Sequence, residues 1–302
     1  PTNQMLTKPM MHRKPCSPFP ALRQLIGSVV YLILYFSRVW INMKKYSLLI
    51  IFIFFSCDDI IVEPTNPLDP NNPSYLEPQV DIDNPINNST INASTIAFSW
   101  NGNRADMQYR YAFDSNEWSQ WVNETSITIE HIDEGPHTFA VQSKYSTEDT
   151  SSVSSISFEV DAVDGPALLF KPRSQAVNIG NKITFNILAE EVDSLTAASF
   201  KLRYAPQQLT IESVRKGAMF AGSTNTLFHH NIDPLNGEIT IMTALLGGET
   251  PFISGTGSLA EIEITAKAFS LSTIEFNGSE TFRGPTNNII TIKTAIGGRV
   301  IQ

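Results

Sequence analysis

Residues 197–204, AASFKLRY, decide the fold. Side chains of a β-strand point alternately to opposite faces. On that period the stretch separates into Ala198, Phe200, Leu202 and Tyr204 on one side and Ala197, Ser199, Lys201 and Arg203 on the other. The aromatic and aliphatic set belongs in a core, and Ser199, Lys201 and Arg203 belong in solvent. Similar short segments lie on both sides of it: 176–179, 182–189, 209–215, 238–245, 257–268, 272–276, 289–293 and 297–301. About nine strands with few helical runs and Gly-rich turns predict an all-β jelly-roll sandwich over 166–302. In 238–245, Glu238, Thr240, Met242 and Ala244 alternate against Ile239, Ile241, Thr243 and Leu245, and either set suits the core at some positions.

Upstream, a second β pattern covers 86–161. Segments 95–100, 107–113, 117–122, 126–132, 137–144 and 155–160 alternate and are punctuated by Asn101-Gly102-Asn103, Asp114-Ser115-Asn116 and Glu134-Gly135-Pro136. Seven or so strands in this span predict an immunoglobulin-like or fibronectin-III-like sandwich. Its aromatics invite a sugar-binding reading, with Trp118 and Trp121 as stacking platforms. Core packing is the simpler account of Ile96, Phe98 and Trp100, which share a face, and of Tyr109, Tyr111 and Phe113, which share another. Trp118 and Trp121 cannot share a face in one regular strand. Residues 161–166, DAVDGP, form the boundary. Before residue 86, Pro64, Pro67, Pro70, Pro73 and Pro78 with intervening Asn and Asp predict an extended, semi-rigid tether over 58–85.

The C-terminal pattern carries a series of motifs in order. Val177-x-Ile179-Gly180 leads to Lys182-Ile183-Thr184, then Phe200-x-Leu202-x-Tyr204-x-Pro206-x-x-Leu209 and Gly217-x-x-Phe220. Asn236-Gly237-x-Ile239, Leu246-Gly247-Gly248, the 254–260 run SGTGSLA and Gly297-Gly298-x-Val300 complete it. The series resembles the cohesin domain, the jelly-roll receptor of dockerin modules. The resemblance implies a dockerin-like partner lying on the open sheet face that includes 197–204, with Ser199, Lys201 and Arg203 as contact residues. Ala197 and Ser199 stand where cellulosomal cohesins commonly have Asn and Asp, and Ala205 stands where the turn Asp is usual. Lys201 and Arg203 would favour an acidic partner surface, unless they are simply a solvated strand face. The N-terminal pattern, FSWNGN through HTFAVQSKY, resembles the Ig-like modules of bacterial surface proteins, including the three-tyrosine type.

Residues 43–59, MKKYSLLIIFIFFSCDD, place this architecture outside the cytoplasm. Lys44 and Lys45 precede an apolar run of about ten residues, and Ser56 precedes Cys57. The segment resembles a bacterial lipoprotein signal ending at Cys57, the residue that would carry the lipid. Asp58 and Asp59 resemble the surface-export signals of Bacteroidetes-type lipoproteins. The implied location is the outer membrane or cell surface, with the membrane reached through the lipid anchor. Residues 1–42 are expected to be over-extended translation; the alternative is a membrane-spanning helix over 25–41, short for a bilayer and interrupted by Arg38.

All 30 acidic residues follow Cys57, while seven of the 21 basic residues precede it. The part beyond Cys57 therefore carries fourteen basic against thirty acidic residues, a net −16. Such a surface repels nucleic-acid phosphates. Beyond Cys57 there is no thiol, hence no disulfide, cysteine metal site or thiol nucleophile. The same-side pair Glu261 and Glu263 could suggest glycosidase carboxylates, but a solvated strand face is the simpler account. His229 and His230, adjacent on a strand, point to opposite faces and are poor joint metal ligands. No catalytic triad, phosphate loop or zinc motif is present, so neither an enzyme nor a cofactor is expected. The function expected is non-catalytic protein attachment, with glycan-degrading enzymes as possible cargo. Polysaccharide binding through a jelly-roll face or through Trp118 and Trp121 is the alternative.

Overall fold

The computed structural model describes residues 64–114, 116–223, 225–247, 252–268 and 271–301. The signal with Cys57, the 25–41 apolar run and Gly248 lie outside these residues. Every regular element among them is a β-strand.

The first domain has seven strands: β1 (Val80–Asn84), β2 (Thr90–Ile91), β3 (Ile96–Gly102), β4 (Gln108–Phe113), β5 (Ser126–Ile129), β6 (Gly135–Lys144) and β7 (Ser154–Val160). They form two sheets, β1-β3-β5 and β2-β7-β6-β4. Ile96, Phe98 and Trp100 are buried, as their alternation requires. Phe98 stacks on Phe139 with centroids 4.1 Å apart, and Trp100 and Tyr111 pack around the same ring. Two features differ from the sequence expectation. Residues 117–122 are not a strand. They follow β4 as an extended edge, exchanging 2.8 Å bonds between the backbones of Tyr109 and Val122. The extended tether also gives way early. Successive turns close at Asn66–Asp69, Asp69–Asn72 and Asn72–Tyr75, and Leu68 and Tyr75 pack on the domain core. The Tyr145 hydroxyl donates to the Leu76 carbonyl, 3.0 Å away. Val80 then opens β1 against β3. Proline dominates the composition of this segment, but a few apolar side chains are enough to dock it.

The second domain continues with β8 (Ala167–Lys171), β9 (Ser174–Ala176), β10 (Lys182–Leu195), β11 (Ala197–Arg203), β12 (Leu209–Lys216), β13 (Thr226–Asp233) and β14 (Glu238–Leu245). It ends with β15 (Ile253–Ala266), β16 (Ser272–Phe276), β17 (Thr281–Arg283), β18 (Ile289–Ile290), β19 (Thr294–Ile296) and β20 (Gly298–Ile301). Nine of these have four residues or more; β9, β17, β18 and β19 are the short ones. One sheet runs β12-β15-β10-β8-β19 and the other β13-β14-β11-β16-β20-β9, with β17 also beside β11. Phe170, Phe185, Phe200, Ile262 and Phe282 fill the space between them.

Two of these strands carry no clear sequence signal. β8 is a continuous apolar run because both of its faces are covered, Leu168 and Phe170 by the main core and Ala167 and Leu169 by Val163 and Leu188. A run of that kind has no period-2 signature. β13, TLFHHNID, is an edge strand whose polar side chains hide its alternation.

The motif glycines mark close approaches. A Cβ on Gly217 would fall on the Ser258 carbonyl, and one on Gly298 would lie 2.7 Å from Phe170 Cδ1. Gly217→Ala is expected to cost about 1–3 kcal/mol by overpacking. Gly222→Ala, with open space around it, should stay within about 0.5 kcal/mol; urea unfolding of the two variants compares them directly.

Where the domains meet, Lys171 Nζ donates to the Glu134 carbonyl (2.9 Å) and the Arg173 amide to Asp133 Oδ1 (2.6 Å). Glu134 and Glu190 face this junction from opposite domains. Burial pushes both carboxyls above their ordinary value. The Ala162 amide opposes this at Glu134, the Thr256 hydroxyl opposes it at Glu190, and the charges of Glu134 and Glu191 raise Glu190 further. A carboxyl raised on folding contributes stability below its unfolded pKa and loses it as pH rises through the folded one. Glu190→Gln should therefore raise the urea midpoint at pH 7, and the gain should vanish by about pH 4. A gain that persists in acid would contradict this.

Candidate functional site

One outward sheet face of the second domain carries the contact residues expected from the sequence. It is built on β11 and its neighbours. Ala198, Phe200, Leu202 and Tyr204 are buried in the core. Ala197, Ser199, Lys201 and Arg203 therefore point outward, with Arg203 the most exposed. The sequence-predicted contact residues Ser199, Lys201 and Arg203 thus share one open face. The ambiguity in β14 is resolved as well: Ile239, Ile241 and Thr243 are buried, so Glu238, Thr240, Met242 and Ala244 join the open face.

The strand register sets the rows of this face. Leu227, Ala244, Ala197, Arg283 and Ile289 form one row across β13, β14, β11, β17 and β18. His229, Met242, Ser199 and Thr281 form the next, and Asn231, Thr240 and Lys201 follow. Asp233, Glu238, Arg203 and Glu275 close the series. The first two rows hold the exposed apolar side chains of this face. Leu227 is 44% exposed, Met242 43% and Ile289 68%. Large apolar side chains are individually common on surfaces, but contiguous ones mark contact sites. Ala244 and Ala197 between them make a shallow floor.

The last row is charged. Arg203 Nε lies 3.4 Å from Glu238 Oε1, with Glu275 on its other side. Asp233 is held below the usual carboxylate range by the Asn236 side chain, helped by the Asn236 and Leu235 amides. Arg203 is thus in register with three acids, while Arg299 points outward on β20 one row beyond Glu275. Leu227, Met242, Ile289, Asp233 and Glu275 were not singled out by sequence reasoning. Alternation names the face of a residue but not its cross-strand neighbour.

The other candidates are placed differently. Trp118 and Trp121 are brought together by the extended edge, which does not obey strand alternation. The Arg110 guanidinium lies over both rings at 4.9 Å, and Lys144 Nζ is 4.9 Å from Trp121. Arg110 is held by Gln142 Oε1, 3.0 Å from its Nε. A cation thus covers one face of each indole, where a stacking sugar would otherwise lie. Glu261 is paired with Arg215 and Glu263 with Lys182, as in a solvated strand face. Among the described residues no group of three His, Cys, Asp or Glu is arranged to hold a metal ion.

Residues 170–301 match the cohesin domain family. The match spans β8 to β20 almost completely and includes the whole open face. No curated protein matches the chain. Among solved structures, the sixth cohesin of scaffoldin B from Acetivibrio cellulolyticus, in complex with a Cel5 dockerin mutant, is 20% identical; the match covers 46% of this chain and 99% of that one, with a TM-score of 0.40. A non-cellulosomal cohesin from the archaeon Archaeoglobus fulgidus is 19% identical over 45% of this chain and 91% of its own, with a TM-score of 0.37. The OlpA cohesin in a type I cohesin–dockerin complex from Clostridium thermocellum is 16% identical over 45% and 96%, with a TM-score of 0.38.

Proposed function

We propose that this chain is a non-catalytic attachment protein whose C-terminal cohesin-like domain holds a dockerin-like module at the cell surface. One observation carries the reading: the cohesin match over 170–301 coincides with a sandwich whose β11 sheet face is solvent-facing and bears the exposed apolar side chains Leu227 and Met242. A sheet face bearing Leu227 and Met242 in water is favourable to cover, at about 25 cal/mol per Å² of apolar area. The Ig-like domain acts as a spacer, and the lipid on Cys57 holds the whole at the outer membrane. A glycan-degrading enzyme carrying the dockerin-like module is the cargo this reading favours. Direct polysaccharide binding is the weaker reading, because Arg110 occupies the slot beside Trp118 and Trp121.

Isothermal titration of the full chain with recombinant dockerin-like modules from the same genome tests the attachment. Tight binding by at least one module, lost in Leu227→Asp/Met242→Asp with the urea midpoint unchanged, is expected. Failure of every module to bind would overturn the reading. The anchor is tested separately. Cells expressing the chain and fed radiolabelled palmitate should label it, and Cys57→Ala should abolish the label; a labelled Cys57→Ala variant would refute lipidation at this residue.

A further inference from the structure

The chain contains three Asn-Gly pairs, at 101–102, 236–237 and 277–278. Glycine leaves its own amide nitrogen unshielded and its backbone free to turn. In such a pair the asparagine side chain is open to attack by the next amide. Two of the three are held against this. Asn101 and Gly102 both pair with β1, and Asn101 Nδ2 donates to Asp83 Oδ1 at 2.7 Å. The space a Cβ on Gly102 would take is filled by the Tyr109 hydroxyl and the Met107 sulfur. Asn236 Nδ2 donates to Asp233 Oδ2 at 2.7 Å, and Gly237 is pressed against the Tyr204 carbonyl and the Pro206 ring. Gly278 is different. It lies at a φ of 83° with open space around it, in the exposed turn that joins β16 to β17.

This turn supplies both kinds of assistance that the attack needs. The Gly278 amide donates to Glu280 Oε1 at 2.9 Å, so a carboxylate stands where the proton must leave. Asn277 Oδ1 accepts from the Ser279 hydroxyl at 2.6 Å and from the Ser279 amide at 3.1 Å. Two donors therefore stand where negative charge develops. We propose that Asn277 is a self-modification site that deamidates, with Glu280 as the base and Ser279 as the oxyanion donor. Gly278 N gives its proton to Glu280 and bonds to Asn277 Cγ. The tetrahedral carbon then expels Nδ2, which takes the proton back from Glu280 and leaves as ammonia. Water opens the resulting succinimide at either carbonyl, giving aspartate or isoaspartate. The product carries one additional carboxylate, and the isoaspartyl form also has one additional backbone atom. The change falls where β16 and β17 both meet β11, beside the bond from the Asn277 amide to the Lys201 carbonyl at 3.1 Å.

Ageing of the full chain in warm, mildly alkaline buffer tests this. Trypsin leaves each Asn-Gly pair on its own peptide, cutting after Lys267 and Arg283 around the third. Mass spectrometry then follows the three conversions side by side, and isoaspartyl methyltransferase labels the isoaspartate formed. Asn277 is expected to convert about tenfold faster than Asn101 or Asn236. Glu280→Gln keeps an oxygen that can accept from the Gly278 amide but removes the base, and Ser279→Ala keeps the backbone donor but removes the hydroxyl. Each should slow Asn277 severalfold and leave the other two pairs unchanged, with urea midpoints matching the parent chain. A turn that serves structure alone predicts the reverse: the same hydrogen bonds would hold Asn277 still. Conversion of Asn277 no faster than of the other two would therefore overturn the site. A rate that is unchanged or increased in Glu280→Gln and Ser279→Ala would overturn the roles given to these side chains.

Discussion

The register of β11 against β14 is the constraint on which the rest of the second domain depends. Phe200 and Leu202 lie opposite Ile241 and Ile239, and all four are fully buried. Side chains alternate with a period of two, so a slip of one residue would turn this set into water and bring Ser199, Lys201 and Arg203 into the core. Each large apolar side chain so exposed would cost about 1.5–3 kcal/mol, and each buried charge several more unless paired. One pairing is therefore strongly favoured. Once it is fixed, the content of the open face follows without further choice. Ala197 must meet Ala244, Ser199 must meet Met242, and Arg203 must meet Glu238. The apolar end and the charged row are by-products of the same packing that makes the core.

The glycines hold this arrangement from the sides. Gly237 sits at a positive φ of 65° in the turn from β13 to β14, where its carbonyl accepts from the Tyr204 amide at 2.9 Å. A side chain there would strike both the Tyr204 carbonyl and the Pro206 ring. The turn thus ties the end of β11 to the hairpin that pairs with it, and Asp233 is drawn into the same turn by its bonds to Asn236. The residue that gives the charged row its first acid is therefore also part of the turn that sets the hairpin's register. Fold and surface chemistry are coupled at that point, because Asp233 cannot be moved without loosening the turn.

The all-β sandwich was legible in the sequence because its longest strands have one wet face and therefore alternate. β11, the first half of β10 and most of β15 show this directly. β8 was not legible, because a strand covered on both faces has no polar side to mark its period. β13 was not legible for the opposite reason, since an edge strand has enough solvent around it to accept His229, His230 and Asn231 in succession. The turns before β1 were concealed by composition: five prolines suggest a spacer, whereas the docking depends on Leu68, Tyr75 and the backbone bonds between them. At Trp118 and Trp121 the alternation argument failed because the segment is not a strand, and its side chains gather on Arg110 instead.

The face itself was readable, but its charge was not, and the difference is physical. Alternation along one strand is a property of a single segment. Electrostatic potential is a property of neighbours in space, and here those neighbours come from 30 to more than 70 residues away in sequence: Asp233 and Glu238 from one side, Glu275 from the other. Lys201 and Arg203 alone read as a basic stripe. In place, Arg203 is largely spent on its own sheet, since an exposed pair at 3.4 Å with Glu238 still lowers the positive potential that an incoming group would meet. Lys201 one row back and Arg299 one row beyond Glu275 bring the local charge close to balance. Exposed charges about 20 Å apart are separated by more than two Debye lengths at physiological salt, so the charged row acts on whatever lies directly over it and leaves the apolar end to act by burial alone. Two ends that are electrically independent but held on one rigid sheet can distinguish not only which surface binds but also which way round it lies.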